Sequence, residues 1–113
     1  MRVRRIALFL MIWPVAAAAV QWELPEGRAL HNALAGLTLR YPGGEVQEFY
    51  PSGKTLYNAG QDSWGNWRIE GDQYCSQWPP SDLWTCYDVW VDDNLIRFID
   101  ANGEFSDGYV VRD

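Results

Sequence analysis

The spacing of apolar residues changes once along this chain, at Gly36. Before it, residues 28–35 place Leu30, Ala33 and Leu34 at helical intervals. Gly36 stands where a helix C-terminus favours glycine. The spacing predicts one short helix, with His31 on its solvent side and residues 21–27 as a loosely held polar lead. After Gly36 the runs are short and each is stopped by turn chemistry. The pattern predicts eight strands, at 37–41, 45–50, 54–58, 65–70, 73–78, 83–91, 95–100 and 104–111. Pro42-Gly43-Gly44, Pro51-Ser52-Gly53, Gly71-Asp72, Pro79-Pro80-Ser81-Asp82, Asp92-Asp93-Asn94 and Ala101-Asn102-Gly103 separate them, with a longer loop at 59–63. No helix intervenes between strands, so the sheet is antiparallel, because parallel neighbours need a long crossover. Eight strands are enough to close a small up-and-down barrel and so remove its edges. A strongly curved open sheet with the helix over one end is the alternative.

Large apolar groups concentrate between Trp64 and Trp90, which hold five of the seven tryptophans and both cysteines. Each indole can bury about 150–250 Å², so the core is expected there. Trp67, Trp90 and Tyr87 lie inside predicted strands and are assigned to it. Trp78 and Trp84 flank the proline loop, where core packing and exposure both remain open.

The first 19 residues have the order of a secretory signal peptide: Arg2, Arg4 and Arg5, then an apolar stretch from Ile6 to Val15, then small residues up to Ala19. A spanning helix needs about 20 apolar residues, and this run is shorter. The expected division is a signal peptide at 1–19 and one β-rich domain at 20–113, periplasmic or secreted and monomeric, with no membrane insertion of the mature chain. The leader arginines are three of the nine basic residues, so six remain against fifteen acidic ones, a net charge near −9. That sign repels nucleic-acid phosphates, and nucleic acid is excluded as a partner.

Cys75 and Cys86 are the only cysteines, and an exported chain meets an oxidising compartment, which favours a disulfide between them. A redox pair would show Cys-x-x-Cys spacing. A zinc site would want four ligands, where this chain has two cysteines and one histidine. No metal or cofactor is expected. Enzyme chemistry is poorly provided for. His31 is the one histidine and has no Gly-x-Ser-x-Gly elbow to meet it. Asp72, Asp92, Asp93 and Asp100 fall in or at the edge of predicted turns, and Asp107 at an interruption of the eighth strand at Asp107-Gly108, where aspartate hydrogen-bonds its own backbone. Asp100-Ala101-Asn102-Gly103-Glu104 alternates oxygen ligands but lacks the rest of a calcium loop.

Gly65-Asn66-Trp67, Tyr74-Cys75-Ser76-Gln77-Trp78 and Cys86-Tyr87 together resemble a pattern of Gly-x-Trp, Tyr-Cys-x-x-Trp and Cys-Tyr in a group of small, uncharacterised exported proteobacterial β-rich proteins. The likeness runs over residues 34–109. It implies an exported β domain with a disulfide and brings no catalytic residue. The expected architecture is similar to small lipocalin or calycin-like barrels and to small periplasmic lysozyme inhibitors, a likeness of shape that supplies no function. The sequence therefore points to a binding module for a protein or small molecule. Trp78, Trp84, Tyr74 and Arg68 are its candidate contacts, and Arg68 is also able to stack on an indole. A structural or stress-protective envelope protein and a periplasmic inhibitor of a cationic enzyme are the alternatives.

Overall fold

The computed structural model describes residues 21–112; the proposed signal peptide, 1–19, lies outside them. One helix, α1 (Gly27–Leu34), precedes eight strands: β1 (Thr38–Arg40), β2 (Val46–Phe49), β3 (Lys54–Asn58), β4 (Asp62–Glu70), β5 (Gln73–Gln77), β6 (Trp84–Asp92), β7 (Leu95–Ile99) and β8 (Phe105–Val110). Every sequential pair is antiparallel, and β8 returns to β1 through Leu39↔Val110 and Arg40↔Tyr109, closing the barrel. All eight expected strands are present and the closed alternative is the observed one. The largest difference is in β4, which starts three residues early because Asp62, Ser63 and Trp64 pair with Asn58, Tyr57 and Leu56. Those three residues are exposed, so no apolar alternation marked them as strand.

Two tight hairpins show how local chemistry sets the register. Gly71 takes φ 60° in the two-residue β4–β5 turn, a left-handed value that a glycine reaches without strain. Asp93 takes φ 52° at the β6–β7 turn, which aspartate tolerates better than most side-chain-bearing residues.

The antiparallel order gives the barrel two unlike ends. At one end α1 lies against β4 and β5 and buries Leu30 and Leu34 completely. Its N-terminus is capped from outside the helix: the Gly27 N–H donates to Asp72 Oδ1 at 3.0 Å. Beneath the helix, Phe49, Trp67, Tyr74 and Phe98 pack with Leu39, Val89 and Ile96. The Phe49 ring meets Trp67 edge-on at 5.9 Å and stacks on Phe98 at 6.2 Å. The core thus draws on β1, β2 and β7 as well as on the tryptophan-rich stretch.

Three expectations are corrected here. His31 is not simply a solvent-side residue; it is half-buried and stacks on Trp67 with centroids 5.0 Å apart. It lies one turn before Leu34, beside the stripe formed by Leu30 and Leu34. Trp90 is not in the core. Tyr87, Val89 and Val91 take the inward positions of β6, so the period of two turns Trp90 outward, where it packs on Trp22 at 5.8 Å. The lead is not loose: Glu23 and Val91 exchange backbone hydrogen bonds at 2.7 and 2.8 Å. It pairs alongside β6 as an antiparallel bridge.

Candidate functional site

The end opposite the helix is open and leads into a cavity of about 760 Å³, within the usual size of small-molecule sites. Inward positions of successive strands build its wall. Gln47, Tyr57 and Ser63 come from β2, β3 and β4, and Tyr74 and Ser76 from β5. Tyr87, Phe98 and Ser106 complete it from β6, β7 and β8, with Tyr41 and Glu45 at the β1–β2 turn. Trp78 follows the last residue of β5 and folds over the rim. Its ring seats on Gly65, where a Cβ would come within 2.6 Å of the indole. The Gly-x-Trp unit therefore does two things: Trp67 fills the core, and Gly65 makes room for Trp78.

The inner wall is tied by a hydrogen-bonded relay. The Tyr41 hydroxyl donates to Gln47 Oε1 at 2.7 Å. Gln47 Nε2 donates to Thr55 Oγ1 at 2.9 Å and to the Tyr74 hydroxyl at 3.4 Å. Thr55 Oγ1 donates to the Glu48 carbonyl at 2.8 Å, and Trp78 Nε1 donates to Ser76 Oγ at 3.2 Å. A buried amide left without partners would cost on the order of 1–3 kcal/mol, and Gln47 escapes that cost through this network. Among the described residues the Tyr57 and Tyr87 hydroxyls have no protein hydrogen-bond partner, so both are available to a guest.

The phenols are held neutral. Burial raises the Tyr41 pKa far above its ordinary value, helped by the Tyr74, Tyr57 and Tyr87 phenols and by Glu45. Burial pushes Tyr74 up to about 12, against the lowering effect of hydrogen bonds with Ser76 and Gln47. Tyr57 is raised by burial and then by Glu45, and Tyr87 by burial and then by Asp100. Glu45 and Asp107 are the acidic residues of the lining, and Asp107 has the outward parity of Arg97. Asp107 is neutralised by a two-pronged ion pair with Arg97, at 2.7 and 2.9 Å. That guanidinium lies on the outer wall, 3.8 Å from the Phe105 ring centroid and 4.8 Å from that of Trp22.

The structure divides the four residues singled out in the sequence. Tyr74 and Trp78 both line the cavity. Trp84 and Arg68 lie on the outer face, where the guanidinium sits 3.8 Å above the indole. The register explains the split: Trp84 pairs with Gln77, two places from the Cys75↔Cys86 pair, and shares its outward parity. Arg68 on β4 reaches Trp84 on β6, so their contact crosses the outside of β5 over the Cys75–Cys86 disulfide. Trp78 and Trp84 flank one loop and face opposite sides of the wall.

Tyr41, Glu45, Gln47, Tyr57 and Phe98 were not singled out. Gln47 carried a signal, since it has the parity of Phe49 and is a polar side chain on an apolar face. His31 stands at the helix end, remote from the serines of the cavity. Glu70, Cys75 and Cys86 have ligand-type atoms close together, but the two sulfurs are bonded to each other. Asp100 accepts the N–H groups of Asn102 and Glu104 at 2.8 and 3.0 Å, the expected role of a turn aspartate. Among the described residues no helix is long and apolar enough to cross a membrane. Comparison with protein-family models, with curated proteins and with solved structures returns no match.

Proposed function

We propose that this protein is an exported binding module that holds a small organic molecule in the open end of its barrel without transforming it. The observation that carries the proposal is the cavity itself. It is plugged at one end by α1, walled by Tyr57, Tyr74, Tyr87, Phe98 and Trp78, and braced by the Gln47 relay. Aromatic walls supply apolar contact, and a few fixed polar groups supply orientation. The bracing keeps the wall from having to order on binding, which favours affinity. The closed barrel offers no strand edge to a second copy, consistent with a monomer. The Cys75–Cys86 bond suits an oxidising compartment, as does the arginine-led apolar segment at 1–19.

A fragment library screened by nitrogen–proton NMR tests this reading. Binders should move the indole N–H resonance of Trp78 and the backbone resonances of Tyr57 and Ser76. Trp78→Ala should remove the response, and Trp84→Ala, on the outer face, should leave it intact. A screen whose hits perturb Trp84 and its surroundings while the cavity resonances stay still would overturn the proposal.

A further inference from the structure

We infer that the cavity takes an organic cation, a quaternary or alkylated ammonium group, held among Tyr41, Tyr57 and Trp78 beside the Glu45 carboxylate. The inference rests on the reading of this cavity as a ligand site and names its class of guest. Its first support is the arrangement of the rings. Tyr41 and Tyr57 have centroids 6.3 Å apart with their planes inclined at 53°. Tyr57 and Trp78 are 6.1 Å apart and inclined at 72°. Rings so steeply inclined do not form a platform for one flat ligand. They bound a rounded space from several sides, which suits a compact tetrahedral head such as trimethylammonium. Ring faces are the negative part of the aromatic quadrupole, and such boxes attract cations.

Charge is the second support. The lining contains no lysine, arginine or histidine. Of its two acidic residues, Asp107 is paired with Arg97 on the outer wall, whereas Glu45 has no basic partner among the described residues. Glu45 follows the turn that joins β1 to β2, and its main chain is fixed by the bond from the Tyr41 N–H to its carbonyl, at 2.8 Å. Its field reaches both Tyr41 and Tyr57. An anion would meet an uncompensated carboxylate and no cationic counterpart. A sugar would want many free donors and acceptors together with a flat stacking face, whereas apart from the Tyr57 and Tyr87 hydroxyls the polar atoms of Gln47, Tyr74 and Ser76 are largely occupied with one another. At longer range the acidic excess of the mature chain draws cations toward the mouth.

Three isosteric probes separate charge from shape: choline, its neutral carbon analogue dimethylbutanol, and the anion dimethylbutanoate. Each is titrated into the mature protein and followed at the Trp78 indole and Tyr57 resonances. Choline should bind about tenfold more tightly than dimethylbutanol, the scale of a desolvated cation–π contact, and dimethylbutanoate should not bind measurably. Glu45→Gln should weaken choline several-fold while leaving dimethylbutanol unchanged, and the unchanged neutral probe reports that the cavity is still folded. Tyr57→Leu should weaken choline more than it weakens dimethylbutanol. Equal binding of choline and dimethylbutanol, or indifference of choline to Glu45→Gln, overturns the cation inference and leaves the cavity as a binding site. Silence of the cavity toward choline also overturns it, and the fragment screen then decides the broader reading separately.

Discussion

The Trp67 indole is held on several sides at the plugged end of the barrel. His31 stacks on it at 5.0 Å, Phe49 meets it edge-on, Tyr74 lies at 6.2 Å, and its Nε1 donates to the Tyr50 carbonyl at 2.9 Å. Its ring thus joins the helix to the sheet, and its removal would leave a void that neither can close alone. Trp67→Ala should destabilise the fold by about 3–5 kcal/mol, read from the urea midpoint at constant slope. A loss below about 0.5 kcal/mol, the range of surface positions, would contradict the packing described. Gly65 matters for the opposite reason, since it is the absence of a side chain there that admits Trp78.

At the scale of elements, the barrel is not uniformly sewn. β4, β5 and β6 pair over four or five residues at each seam, whereas β1 and β8 meet through two register pairs. The disulfide reinforces the seam between β5 and β6, joining cross-strand neighbours with Cα atoms 4.0 Å apart. Its effect on stability is largely on the unfolded chain, whose loop between the two cysteines it closes. Cys75→Ala, Cys86→Ala and the double variant should each lose about 2–3 kcal/mol, because one bond is removed in every case. Denaturant curves of the oxidised protein and the three variants check this. Losses that summed in the double variant would show that the side chains, and not the bond, carry the energy.

For the whole molecule, the buried phenols link stability to alkaline pH. Tyr74 ionises near pH 10 in an unfolded chain and near 12 in the native barrel, and Tyr41 is raised further still by its burial. Below pH 10 both states keep the proton and the contribution is fully present. Between about 10 and 12 the unfolded chain releases protons that the folded one retains, so stability falls as pH rises. Absorbance titration of the six tyrosines should therefore show incomplete ionisation while the barrel stays folded. Tyr41 and Tyr74 should ionise only with the cooperative loss of near-ultraviolet dichroism. Tyr74→Phe should flatten that pH dependence. Complete ionisation near pH 10 with the dichroism intact would contradict it.

Period and turn chemistry along the chain were sufficient for the helix, the eight strands and their antiparallel order, because hairpins are local and each is specified by the few residues that form it; the cysteine pair followed from there being two cysteines in a chain read as exported. The same reasoning placed Tyr74 and Trp78 among the candidate contacts. What it did not contain was closure and facing. Whether eight strands curl into a barrel depends on Leu39 and Arg40 meeting Val110 and Tyr109 across most of the chain, a contact that no local pattern encodes. Closure in turn decided which side of the wall became a cavity. It turned Trp78 inward and Trp84 outward from opposite ends of one loop, brought Tyr41 and Tyr57 together, and placed His31 over Trp67. Parity along a strand says which residues share a face; only the closed sheet says which face is the inside.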